Sequence, residues 1–308
     1  MIDVQHLTKV FGRTTVVDSA SFCVPPGVIT GFLGPNGAGK TTTLRMILGL
    51  SRPTTGIATV NGREYAQHRA PLKEVGALLD ATSIHGSLSP RSYLRSIALT
   101  HGISPNRVNE VILMVGLESV LNKRINPFSL GMRQRLGIAA AMLGDPQTLI
   151  FDEPTNGLDL DGSIWFRDLL RHLASEGRTV FISSHLIEEM AQTVEHLVVL
   201  GRGKILADAS LESILQAGGE TKIRVSSPYL TVLLEKLTRV ATSIKMQGLH
   251  TAEVGGVSAT EISKLASSTG AMLEELVAIR PSLEDSYFRL TDGDSDYRAD
   301  PTMSGSLQ

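Results

Sequence analysis

The sequence predicts an α/β fold with a largely parallel sheet, a helix-rich insertion and a small α+β appendage. Three observations lead there. Over residues 1–220, short apolar runs bounded by Gly, Pro and Asn alternate with longer stretches of helical periodicity. One apolar run passes through a glycine-rich segment, Gly34 to Gly39, straight into a helical stretch. At Gly218-Gly219 the pattern changes and a new set of elements begins.

In chain order, Val28 to Leu33 reads as a strand and Lys40 to Leu50 as the helix after the glycine segment. Val75 to Leu79 reads as a buried strand. Residues 90–144 carry mostly 3.6-residue periodicity. Within them Ser104-Pro105 is a helix start, with Ser as N-cap and Pro at the first helical position, and Gly116 is a stop. Leu149 to Asp152 reads as a second buried strand. Residues 161–175 read as a helix whose stripe of Phe166, Leu169, Leu170 and Leu173 is a core face. Thr179 to Ser183 is a further strand, followed by a helix near His185 to Gln192. After Gly218-Gly219, Thr221 to Val225 reads as a strand, with Leu230 to Val240 and Ser258 to Ala266 as helices. Ala271 to Ile279 reads as helix or strand, with a strand favoured at its end. Residues 292–308, rich in Asp, Ser, Gly and Pro, are expected to be disordered. No internal repeat is present.

The composition, 42% hydrophobic and 19% charged, is that of a globular protein able to bury a sizeable core. A formal net charge of -2 supplies no basic field for nucleic acid. The one cysteine, Cys23, leaves no internal disulfide framework. No signal peptide and no apolar stretch of membrane-spanning length is evident, so a membrane role would require a partner.

Two segments carry chemistry. Gly34-Pro35-Asn36-Gly37-Ala38-Gly39-Lys40-Thr41 matches G-x-x-x-x-G-K-[ST] in full. Glycines let successive N–H groups turn inward onto phosphate oxygens, and the following helix adds its positive end. Lys40 is placed for the β- and γ-phosphates of ATP and the Thr41 hydroxyl for Mg2+. The second segment is an apolar run, Thr148 to Phe151, ending in Asp152 and Glu153. Such a strand delivers Asp152 beside the metal and turns Glu153 to the γ-phosphate, where it polarises water. Alone, the two acids are also compatible with an ordinary strand end.

Phe128-Ser-Leu-Gly-Met-Arg-Gln-Arg135 resembles the signature motif of ABC ATPases, LSGGQ-x-QR. Asp152-Glu-Pro-Thr-Asn-Gly-Leu-Asp159 resembles that family's Walker B and D-loop, and Ser183-Ser-His185 its switch-histidine segment. Motif order and spacing match the family over residues 1 to about 215. The resemblance implies an ABC ATPase domain over 1–218, made of a P-loop NTPase core, a helical subdomain near 84–145 and an antiparallel β-subdomain. An accessory domain over 219–291 follows.

The resemblance also implies a head-to-tail dimer, homodimeric or pseudo-dimeric, with two ATP molecules sandwiched between subunits. Gly34 to Thr42 of one subunit would hold each ATP, and Ser129, Gly131 and Asp159 of the other would close over it. Ser129 is at the same time a plain helix N-cap. His185 would hold the catalytic water and Glu153 in place. Phe11 lies where the family stacks an aromatic on adenine, and Val16 joins the nucleotide-binding positions. Asp80 stands where the family carries Gln or Glu and would reach the metal and nucleotide, through water given its shorter side chain. Leu130 and Met132 replace a signature Gly and Gln.

Similar Ser-Leu-Gly-Met segments, and a similar ending Ser282 to Thr291, occur in exporter ATPases of bacitracin, lantibiotic and drug immunity systems. The expected function is therefore ATP hydrolysis that powers export of a drug, peptide antibiotic or lipid. It would take place at the cytoplasmic face of the membrane through a separate permease, without nucleic acid. The alternative is a non-transport ABC ATPase acting on ribosomes or DNA. A single phosphate loop and the lack of a long heptad run weigh against it.

Overall fold

The computed structural model describes residues 1–217, 220–279 and 282–291. The expected boundary at Gly218-Gly219 and the expected disordered tail over 292–308 lie outside these residues. The chain divides into two units, one over Met1–Leu211 and one over Glu212–Asp292.

The first unit opens with a long hairpin, β1 (Ile2–Phe11) and β2 (Thr14–Val24). Next come β3 (Ile29–Leu33), α1 (Lys40–Ile47) and β4 (Thr55–Val60). A single turn, α2 (Pro71–Glu74), leads into β5 (Val75–Leu78). The helix-rich stretch contains α3 (Pro90–Thr100), α4 (Pro105–Met114) and α5 (Leu130–Met142). Each is started by a serine that accepts a hydrogen bond from its own first turn: Ser89 from Ser92 N at 3.2 Å, Ser104 from Asn106 N at 3.3 Å, Ser129 from Met132 N at 3.2 Å. Then follow β6 (Thr148–Asp152), α6 (Leu160–Ser175), β7 (Thr179–Ser184), α7 (Ile187–Thr193), β8 (His196–Gly201) and β9 (Lys204–Ser210).

These strands form two sheets. One is antiparallel, in the order β2-β1-β4. The other has the order β5-β6-β7-β3-β8-β9, parallel except for β9. Every residue of β3, β6 and β7 is buried, which is why these strands read as continuous apolar runs without alternation. Phe22 of β2 meets Phe32 of β3 and Phe181 of β7 at ring centroid separations of 5.5 and 5.7 Å, fastening the sheets together. Each of these three rings is at most 4% exposed, and burial of each contributes about 1.5–3 kcal/mol.

The sheet order positions the site. β7 lies between β3 and β6, so the carboxyl ends of all three strands meet on one edge. Leu33 pairs with Ser184 and Asp152 with Ser183. The glycine segment leaving β3 and the acids ending β6 are thereby brought to one crevice, the usual ligand position of an open α/β sheet.

In the second unit, α8 (Leu211–Ala217) leads to β10 (Lys222–Ser226), α9 (Leu230–Leu237), β11 (Ser243–Met246), β12 (Thr251–Gly255), α10 (Ala259–Thr269), β13 (Glu275–Ile279) and α11 (Leu283–Thr291). Its sheet is antiparallel, in the order β11-β12-β10-β13, a split β-α-β arrangement. Ile223 and Val225 of β10 pack with Ala252 and Val254 of β12 and with Leu230, Leu233 and Ile262 of the helices. The β11–β12 hairpin is not among the elements expected from the sequence. Ser243 to Met246 is short and mostly exposed, so it carries little apolar signal.

Candidate functional site

The phosphate segment bends between β3 and α1. Gly39 caps α1 at φ 108°, a left-handed conformation, and a Cβ there would lie 2.7 Å from the Val16 carbonyl oxygen. No side chain caps α1, so its first N–H groups are free to serve a bound anion. Pro35, Asn36 and Gly37 form the exposed crest of the loop, while Gly34, Ala38 and Gly39 are buried beneath it. Thr42 is half-buried on the first turn of α1. Lys40 is 6% exposed, and its Nζ donates to the carbonyls of Gly34 at 2.7 Å and Pro35 at 3.4 Å. The side chain therefore curls back along the loop it follows.

The acids of β6 complete this centre. Thr41 Oγ1 donates to Asp152 Oδ2 at 2.6 Å, and Ser183 Oγ donates to Asp152 Oδ1. Glu153 adopts φ 49°, unusual for a residue with a Cβ and costing on the order of 1–3 kcal/mol. Its backbone N–H donates to Ser183, to the carbonyl and the hydroxyl at 3.2 Å each, which holds the kink. The kink aims the Glu153 carboxylate into the centre. Oε1 stands 3.4 Å from Lys40 Nζ, and Oε2 stands 2.9 Å from His185 Nδ1. Facing a carboxylate, which only accepts, His185 donates through Nδ1. Lys40, Glu153 and His185 are thus joined by direct contacts, Thr41 and Asp152 by another, and Ser183 bridges the two sets.

Ser129, Gly131 and Asp159 form a second group. Ser129 caps α5, and Asp159 caps α6 by accepting from Gly162 N at 2.8 Å. A Cβ on Gly131 would lie 2.6 Å from the Gly157 carbonyl, so the start of α5 presses directly on the loop after Glu153. Gln134 Nε2 donates to the Glu153 carbonyl at 3.3 Å and connects the two groups. Gln134 and Ser183 fall inside the signature and switch-histidine segments, but the sequence assigns neither of them a contact in the site. The available signal was polarity out of place: Ser183 ends an apolar strand, and Gln134, 5% exposed, interrupts the buried face of α5.

The remaining expected residues stand apart from these contacts. Phe11, 53% exposed, ends β1 with Lys9 Nζ 4.9 Å from its ring centroid. Val16 is half-buried on β2, its carbonyl against Gly39. Asp80 follows β5 and caps the turn Ala81–Ser83. Its Oδ1 accepts from Thr82 Oγ1 at 2.6 Å and from Thr82 N at 2.7 Å, and these bonds, the hydroxyl's first, hold its carboxyl below the usual aspartate range. Asp80 and Thr41 line one groove of about 590 Å3 with Arg45, Tyr65 and Tyr93.

Among the described residues, no three His, Cys, Asp or Glu side chains gather as a metal cage. The Thr41 hydroxyl and the Asp152 carboxylate instead offer two adjacent hard oxygens. That suits Mg2+, which takes one or two protein oxygens and completes its shell with phosphate and water.

A family model described as ABC transporter matches residues 17–156. The bacitracin transport ATP-binding protein BcrA of Bacillus licheniformis is 34% identical, over 95% of this chain and 98% of that protein. BcrA of Enterococcus faecalis is 33% identical, over 95% and 97%. The lantibiotic transport ATP-binding protein SrtF of Streptococcus pyogenes is 33% identical, over 68% of this chain and 90% of its own length. A solved ATP-binding subunit of an ABC transporter superposes with a TM-score of 0.61 at 26% identity, over 70% of this chain and 91% of that one. A dimeric bacterial ABC transporter cassette, 23% identical, shares the fold with a TM-score of 0.63 over 68% of this chain and 99% of that one. Alignment with the two BcrA proteins over 95% of its length places this chain in the family of ABC transporter ATP-binding proteins, as an ATPase.

Proposed function

We propose that this ATPase powers export through a separate transmembrane permease at the cytoplasmic face of the membrane, with a drug, peptide antibiotic or lipid as cargo. The observation that carries the site assignment is the chain of contacts from Lys40 through Glu153 to His185, with Thr41 and Asp152 beside it. The cargo class is supported by the bacitracin and lantibiotic transport relatives. Among the described residues no helix is long and apolar enough to cross a membrane, which agrees with a pathway built by another chain.

In this reading Gly34 to Thr42 bind the phosphates of ATP through backbone N–H groups, and Lys40 moves its ammonium from the loop carbonyls to the phosphate oxygens. Thr41 and Asp152 would hold Mg2+, and Asp80, which lines the same groove as Thr41, would reach the ion through water; the ion would neutralise charge on the phosphates. Glu153 takes the proton of the attacking water, and His185 fixes the carboxylate's direction. Phe11 and Val16 flank the adenine. Ser129, Gly131 and Asp159 serve the nucleotide held by the other subunit of a homodimer or pseudo-dimer. Residues 1–218 form the ATPase domain, with the helical subdomain near 84–145, and residues 219–291 an accessory domain.

The test is reconstitution. Affinity purification from membranes should recover a protein with about six hydrophobic spans. Vesicles containing both proteins should accumulate labelled bacitracin or lantibiotic with ATP, and should fail to do so with Glu153→Gln. A chain that purifies with ribosomes and leaves membrane proteins behind would favour the non-transport reading.

A further inference from the structure

Arg135 lies six residues into the helix that Ser129 starts, and its guanidinium reaches two other elements, α4 and α6. Nη1 donates to the Val115 carbonyl at the end of α4, at 3.1 Å. The guanidinium carbon lies 4.7 Å from the centre of the Trp165 ring on α6, a cation–π stack. Nη2 lies 3.3 Å from where a Cβ would stand on Gly162, the residue whose N–H Asp159 accepts. The Asp159 cap and the Arg135 fork therefore occupy the same few ångströms of the first turn of α6.

A second contact joins the same two elements at their tips. Leu130, where related signature motifs carry glycine, packs on Gly157 so closely that a Cβ there would lie 2.5 Å from the Leu130 side chain. The Ser129 helix is thus pinned to the Asp159 loop twice, at Leu130 and again at Arg135. From this geometry we infer that Arg135, with Trp165, is a positioning residue that makes Ser129 and Asp159 move as one body, so that both reach the partner subunit's nucleotide together. The inference rests on the two-sided grip of ATP proposed above. It calls for arginine specifically: a lysine can stack on Trp165 or reach Val115, but it lacks the planar fork that does both at once.

Trp165 is the chain's one tryptophan, so its emission reports the contact directly. The full-length protein would be studied with Arg135→Ala and Arg135→Lys. Each would also be combined with Glu153→Gln to hold the ATP-bound dimer. Expected for Arg135→Ala are a shifted Trp165 emission, a fluorescent-ATP Kd of the isolated subunit within twofold of the parent, a dimer dissociation constant in ATP raised at least tenfold, and a matching fall in kcat. Arg135→Lys should fall between the two. If Arg135→Ala does not fold, Trp165→Leu removes the stack and keeps the bond to Val115; the same direction of change is expected. Shifted emission with unchanged dimerisation and kcat overturns the coupling, and so does a loss of ATP affinity as large as the loss of dimerisation. Should Glu153→Gln alone stay monomeric in ATP, the two-sided grip falls and the coupling with it. Should it dimerise, and the double variant dimerise equally well, only the coupling is overturned.

Discussion

Thr41 Oγ1 donates to Asp152 Oδ2 at 2.6 Å, tying the first turn of α1 to the carboxyl end of β6. The two oxygens are held together by the order of the strands, because β7 pairs with both β3 and β6. If this pair holds Mg2+, Thr41→Val removes one oxygen and keeps the shape. The free Mg2+ needed for half-maximal ATPase activity should then rise about tenfold, equivalent to about 1.4 kcal/mol. An unchanged Mg2+ titration would remove Thr41 from the metal site.

Lys40 leans on two carbonyls and on Glu153, all groups that attract a cation. Replacing it by alanine removes the one ammonium in the loop and the charge-assisted bonds it can make to phosphate, each worth about 1.5–3 kcal/mol. The Kd for a fluorescent ATP analogue should increase by about tenfold to a hundredfold in Lys40→Ala. Parental affinity in that titration would mean that the backbone cradle alone binds the phosphates.

Glu153 is aimed by a strained backbone and fixed by His185, which suits a group that must meet one water molecule in one direction. Glu153→Gln keeps the shape and loses the base. Turnover should fall by about 10²–10⁴, the usual span for a general base. ATP should still bind, so size-exclusion chromatography in ATP and Mg2+ should show a stable dimer. Hydrolysis at the parental rate would show that another group takes the proton.

Asp80 is bound by its own turn through Thr82, which lowers its carboxyl pKa. A depressed folded-state pKa stabilises the turn above the ordinary aspartate value, and that stabilisation is lost as the pH falls through the folded pKa. Thr82→Val removes the hydroxyl bond, the largest cause, so the Asp80 titration followed by carboxyl NMR should move up toward the ordinary value. No movement would assign the shift to a different neighbour.

The parallel core and the phosphate segment were legible in the sequence because each is written locally. β3, β6 and β7 are continuous apolar runs, and glycine spacing marks the loop. Helix ends were legible where a cap is explicit, as at Ser104-Pro105. Less was legible where partners are distant. The β1–β2 and β11–β12 hairpins are stabilised across strands, and β11 is too exposed to show alternation. Lys40 to Leu50 reads as one helix, yet α1 ends at Ile47, because Gly49 takes the left-handed conformation two residues later. The contacts of Gln134 and Ser183 with Glu153 depend on residues 19 and 30 positions away, which no local pattern encodes.

Ser183 is the sharpest case of that hidden layer. Its hydroxyl donates to Asp152 Oδ1 and accepts from Glu153 N, so a single side chain positions both acids. It is 1% exposed, so no water replaces it readily. Ser183→Ala leaves a buried carboxylate oxygen short of a donor, at a cost of about 1–3 kcal/mol. The melting temperature should drop by a few degrees, on the order of 2–4 °C per kcal/mol for a domain of this size. Because Glu153 N also loses one of the two bonds that hold its kink, the one to the hydroxyl, kcat should fall while the Kd for ATP, set by the loop around Lys40, stays close to the parent's. Equal losses of affinity and turnover, or a variant as active as the parent, would show that Ser183 only fills space at the end of β7.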